Sequence, residues 1–153
     1  MRIATHPALQ RRGLGSLALQ RVIEEAKKGG MDWVGAGFGV SEELLRFWVR
    51  AGFVAVHISP QRNPVSGEYS VFVVKPLSDA AENVVREIVG EFKKRLIDSL
   101  HDVYFDLSPR VARLLLKSRW GSARPKLRYS QKLRLKGYLE GYNTYEMASD
   151  AIW

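Results

Sequence analysis

The residues best suited to chemistry form one short string, Gln10-Arg11-Arg12-Gly13-Leu14-Gly15-Ser16. It lies between a β-prone stretch, Arg2-Ile3-Ala4-Thr5, and an amphipathic helical pattern. A strand, a glycine-bearing turn and a helix N-terminus in that order make an anion cradle. The glycines admit a ligand close to the backbone, and unpaired amides at the positive end of the helix dipole face negative charge. His6 closes the β-prone stretch, and an imidazole can exchange a proton near neutral pH. A second concentration of charge runs from Pro109 to Lys136, with ten Lys or Arg and no Asp or Glu. Such a run suits a polyanionic partner.

The elements that must position these residues can be read in outline. A helix is expected from about Gly13 to Lys28, with Leu19, Val22, Ile23 and Ala26 as its buried stripe and Gly29-Gly30 as its stop. Asp32 to Phe38 reads as a strand. Ser41 is placed to cap a short helix to about Ala51, with Glu42 and Glu43 in its first turn and Arg50 in its last, charges that favour the dipole. Gly52 ends it. Phe53 to Ile58 reads as a strand, Ser59 to Ser66 as a loop and Gly67 to Val74 as a strand. This order implies an α/β layer on a mixed sheet.

Beyond Pro76-Leu77-Ser78 the pattern is helical throughout. One long helix is expected from about Asp79 to Leu100, and another from Ser108-Pro109 through Leu116. Gly121 to Pro125 breaks the chain before two further helices, about Ser130 to Gly141 and Thr144 to Ile152. The expected division is therefore 1–78, α/β, and 79–153, an all-helical tail. On the tail Arg110, Arg113 and Lys117 are spaced to share a helix face. Arg119, Arg124, Lys126, Arg128, Lys132, Arg134 and Lys136 continue the run, and Trp120 and Tyr129 add aromatic surface for stacking on unpaired bases.

The 153 residues carry a net charge of +8 and no cysteine, which excludes disulfides, zinc-thiolate sites and thiol nucleophiles. The histidines His6, His57 and His101 lack metal-ligand spacing, so no metal is expected. No apolar run approaches a bilayer span and no signal-peptide succession opens the chain, so a cytoplasmic protein with no membrane partner is expected.

The Q/R-x-x-G-x-G form of the cradle resembles the pyrophosphate loop of the GNAT acetyltransferases. Phe47-Trp48-Val49-Arg50-Ala51-Gly52-Phe53 resembles their Y/F-x-x-x-G-F segment. Together they imply an acetyl-CoA site, with the pantetheine arm pairing along Ile3-Ala4-Thr5 as a pseudo-peptide. A longer series is similar to the acetyltransferase module of the tRNA(Met) cytidine acetyltransferases. It comprises Arg2 to Pro7, the cradle, Asp32-Trp33, Phe38-Gly39, Glu43 to Phe53, Ser66 to Ser70 and Pro76-Leu77-Ser78. Tyr138 to Tyr142, Tyr145-Glu146 and Ala151-Ile152 resemble the helical tail of archaeal-type members.

That resemblance implies acetylation of the N4 amine of cytidine in tRNA. Ile3, Ala4, Thr5, the run Gln10 to Ser16, Glu43 and Arg50 would contact acetyl-CoA, His6 is the candidate proton acceptor, and the tail would bind tRNA. It also implies an ATP-dependent step, but no G-x-x-x-x-G-K-S/T string is present, so ATP is not expected to bind this chain. GNAT folds carry further strands ahead of the cradle, where this chain has only residues 1–5. The expectation is part of a longer protein, whose open edge at residues 2–5 invites self-association. Two alternatives stand beside this reading: a GNAT acting on a protein or small amine, and a non-catalytic RNA-binding fragment.

Overall fold

The computed structural model describes residues 4–118, 120, 127 and 129–152. Leu14–Lys28 forms α1, Trp33–Gly39 β1, Glu42–Arg50 α2, Val54–Arg62 β2 and Tyr69–Pro76 β3. The remainder is helical: α3 Asp79–Ser99, α4 Pro109–Leu116, α5 Tyr129–Leu139 and α6 Tyr145–Ile152. An α/β layer followed by helices is the architecture the sequence pattern demanded. The described strands make one antiparallel sheet in the order β1-β3-β2, with Ala36 opposite Val73 and Val54 opposite Val74.

Ala4 and Thr5 are not in a strand, and Ile3 lies outside the described residues. A β-prone stretch needs a neighbouring strand to pair with, and propensity alone does not supply one. Among the described residues, β1 and β2 are the two edges of the sheet. A second departure concerns β2, which continues through Ser59, Pro60 and Gln61 to Arg62, where a loop was expected. The order β1-β3-β2 makes it an edge strand, where proline costs no ladder bond, and a register shift between Ile58 and Arg62 absorbs the irregularity.

Helix α2 shows local sequence and packing in agreement. The Ser41 hydroxyl accepts from the Leu44 amide, and Gly52 adopts a left-handed φ of 88° just past the last turn. Leu45 and Trp48, one turn apart, are buried. The Trp48 ring stacks on Phe38 at 5.8 Å and meets Phe53 edge-on at 4.8 Å.

The main core does not stop at residue 78. Leu19, Leu45, Phe53, Val71 and Val73 share it with Phe92 and Leu96 of α3 and Val111 and Leu115 of α4. Polar ties reinforce this. The Tyr104 hydroxyl donates to the Ile58 carbonyl at 3.1 Å, and the Tyr69 hydroxyl donates to Asp106 at 2.7 Å. Arg62 pairs with the same carboxylate at 2.7 Å and lies over the Tyr69 ring. Helices α5 and α6 instead pair with one another, through Tyr138 against Tyr145 and the Arg134 guanidinium on the Met147 carbonyl.

Trp120 was expected as a stacking surface, and its position rules that out. It is buried with Val54, Val74, Val85 and Val89 in a second apolar cluster. Burial of a large indole against four valines outweighs its keeping an exposed face. Tyr129, by contrast, is 78% exposed. No described helix is long and apolar enough to cross a membrane.

Candidate anion-binding cleft

Gly13 is the N-cap of α1 and has a left-handed φ of 82°, with open space where a Cβ would project. It supplies no side-chain cap, so the amides of Leu14, Gly15 and Ser16 have no intrahelical partner and point out of the helix end. Arg11, at φ 61°, is the non-glycine residue with positive φ among the described residues. A side chain held in that region marks a site whose surroundings over-determine the backbone. The turn is thus shaped around its donors, as an anion cradle requires.

A cleft of about 870 Å³ opens from this turn between α1 and α2. Gln10, Arg11, Gly13, Leu14, Gly15 and Ser16 line its cradle end, and Ala4 and Thr5 join them. Gly15 packs close to Phe47 and Thr5: a Cβ there would lie 3.6 Å from the Phe47 ring and 3.8 Å from the Thr5 hydroxyl. On the facing wall Glu43, Leu44, Phe47 and Arg50 of α2 look across to Gln20, Ile23 and Glu24 of α1. The Arg11 guanidinium donates to Glu43 at 3.2 Å, spanning the mouth. The two residues were placed there by separate sequence strings, and the fold brings them together.

Arg12 is exposed beside the turn and is not part of the lining. His6 is also outside it. Its Nδ1 accepts from the Ala8 amide at 3.3 Å, capping a single 3-10 turn, Pro7–Leu9. Lys75 is a charged cleft residue that sequence reasoning missed. It sits in β3 opposite Val34, half-buried, and its Nζ donates to the Ala51 carbonyl at 2.7 Å. Its only signal in the sequence was a charge interrupting an apolar strand.

The basic residues of the tail are dispersed. Arg110 approaches Glu42 of α2 at 3.7 Å, Arg113 is exposed on α4, and Lys117 caps its C-terminus. Arg134 is turned onto α6, Lys136 approaches Glu140 at 3.7 Å, and Lys132 is exposed. Arg119, Arg124, Lys126 and Arg128 lie outside the described residues. Among the described residues, no group of His, Asp and Glu side chains gathers in a way that would hold a metal ion.

Comparison with known proteins adds to this geometry. Residues 22–78 match the GNAT acetyltransferase 2 family model. The chain is 52% identical over 153 residues to the tRNA(Met) cytidine acetyltransferase TmcA of Methanopyrus kandleri, covering 99% of this chain and 18% of that protein. It is 60% identical over 118 residues to the protein of that name from Thermofilum pendens, covering 77% of this chain and 15% of the relative. A solved structure, the ribosomal-protein-S18-alanine N-acetyltransferase from Escherichia coli, is 27% identical over 54% of this chain and 56% of its own, with a TM-score of 0.46. The chain spans less than a fifth of the length of these two curated relatives.

Proposed function

Because the chain belongs to the tRNA(Met) cytidine acetyltransferase family, we propose that residues 1–78 bind acetyl-CoA for transfer of its acetyl group to the N4 amine of cytidine in tRNA. The observation that carries this reading is the cleft itself: a left-handed glycine, uncapped helix amides and Arg11 at one mouth of a cleft about 870 Å³ in volume. Its size falls in the range of small-molecule and cofactor sites. The amides of Leu14 to Ser16 and the Arg11 side chain would hold the diphosphate. Thr5 and the open edge of β1 would flank the pantetheine arm.

In this reading the N4 nitrogen attacks the thioester carbonyl, a new C–N bond forms, and the C–S bond breaks. The amine gives up one proton and the departing sulfur takes one, so the overall transfer balances. The cytidine amine is a poor nucleophile because its lone pair is delocalised into the ring. Positioning and stabilisation of the developing oxyanion therefore carry most of the rate. His6 has its Nδ1 engaged by Ala8 and holds the turn before the cradle.

Residues 79–153 would present the tRNA. Exposed Arg113, Lys132 and Tyr129 supply charge and a stacking ring on that side. Thermal shift with acetyl-CoA, CoA and tRNA tests the whole reading, which expects stabilisation by both ligand classes. Acetyl-CoA alone would favour a protein or small-amine acceptor. RNA alone would favour a non-catalytic fragment, and no response to either would contradict the reading.

A further inference from the structure

The segment between α3 and α4 is pinned on both sides of one exposed ring. Tyr104 and Leu107 are buried in the main core, and the Tyr104 hydroxyl donates to the Ile58 carbonyl. The Tyr104 ring also meets Tyr69 edge-on at 5.5 Å. The Tyr69 hydroxyl lies 3.3 Å from the Val103 carbonyl and donates to Asp106, whose carboxylate pairs with Arg62. Phe105 sits between these anchors and is 76% exposed. A lone apolar side chain on a surface carries little meaning by itself. Phe105 differs because its neighbours on either side hold the backbone still. Ordering the ring against a flat partner therefore costs little further entropy.

The same segment leads to the mouth of the cleft. Arg110, in the first turn of α4, approaches Glu42 at 3.7 Å, and Glu42 adjoins Glu43 on the cleft wall. Five residues span at most about 18 Å, so Phe105 lies within that backbone distance of Arg110. The carboxylate next to Phe105 in sequence is already engaged by Arg62, whereas the Arg110 side chain is 80% exposed. A rigid ring and an accessible cation at this spacing suit a single nucleic-acid strand, which offers a π face and a phosphate at each step. We propose that Phe105 is the platform on which an unpaired base of the RNA stacks, with Arg110 taking a phosphate of the same strand. The inference rests on the tRNA reading above and fixes where the strand passes the cleft mouth. Stacking tolerates any base, so the platform adds affinity and leaves the choice of base to the site itself.

Fluorescence anisotropy of the full chain with tRNA and with a single-stranded cytidine-containing oligonucleotide tests it. Phe105→Ala should weaken both RNAs about 10-fold, the scale of one lost stack, and leave the salt dependence unchanged. Phe105→Trp should keep wild-type affinity, whereas Phe105→Leu, apolar but without a π face, should not. Arg110→Ser should lower the slope of log affinity against log salt by about 0.7, one phosphate on a single strand. Urea midpoints and acetyl-CoA affinity should match wild type in the Phe105 variants, which separates the lost stack from a lost fold. Wild-type RNA affinity in Phe105→Ala would overturn the platform and leave the tRNA reading intact. So would full affinity in Phe105→Leu, the mark of a plain apolar contact such as a protein partner makes, or an unchanged slope in Arg110→Ser. Failure of wild type to bind either RNA would overturn both.

Discussion

Arg11 and Glu43 face each other across the mouth of the cleft, with Nη2 3.2 Å from Oε1. Thirty-two positions separate them in sequence, and both side chains are largely exposed. An exposed pair of this kind is worth a few tenths of a kcal/mol at most. Its consequence is for orientation: the carboxylate holds the guanidinium of a residue already fixed at positive φ beside the uncapped helix end. Arg11→Ala should therefore change the unfolding midpoint little and weaken acetyl-CoA about 10-fold, a loss that shrinks at high salt. Paired denaturation and binding titrations at two ionic strengths check it.

Asp106 couples the β2–β3 hairpin to the segment between α3 and α4. The hydrogen bond from Tyr69, then the Arg62 guanidinium, hold its carboxyl below the ordinary value of 3.8. A carboxyl depressed in the folded state adds stability that is complete above its unfolded value and is lost as pH falls through the folded one. Wild type should lose stability progressively in that acid range. Asp106→Asn should be less stable at neutral pH and show a flatter acid limb. Urea midpoints measured from pH 7 down to pH 2 separate the two curves.

Trp120 and Tyr129 should behave oppositely. Trp120→Ala removes a buried indole from among Val54, Val74, Val85 and Val89 and should cost about 3–5 kcal/mol. Tyr129→Ala removes an exposed ring and should leave stability within about 0.5 kcal/mol. If the tail carries tRNA as proposed, Tyr129→Ala should also lower RNA affinity. Chemical denaturation and filter binding on the same two variants give both readings.

The described cations Arg113, Lys117 and Lys132 offer a separate test of tRNA binding. Replacing all three with Ser should weaken tRNA and lower the slope of log affinity against log salt by about 2, if each neutralises one phosphate on a single strand. An unchanged slope would remove these side chains from the RNA surface. The same titration applied to Arg124, Lys126 and Arg128, which the sequence singles out, compares the two groups directly.

Local signals made α2 legible. Ser41 as N-cap, acids in its first turn, Arg50 in its last and Gly52 beyond it are all written within a dozen residues, and the helix forms there. The turn into α1 was legible for the same reason, since Gly13 is its N-cap and Gly15 lies in its first turn. Features decided by distant contacts were not. The extension of β2 to Arg62 depends on Tyr69 across the hairpin and on Asp106 beyond α3. Trp120 is taken up by valines from two strands and a helix, which no nearby residue signals. Lys75 reads as an ordinary strand charge until the fold sets it beside the end of α2.

The most direct measurement is calorimetric titration of acetyl-CoA into wild type and into Gly13→Val, with circular dichroism confirming that both are folded. Valine at φ 82° is strained by about 1–2 kcal/mol and draws the turn out of the shape that exposes the helix amides. The account predicts saturable one-to-one binding by wild type and at least about 10-fold weaker binding by the variant. No binding by wild type, or equal binding by the two folded proteins, would contradict it.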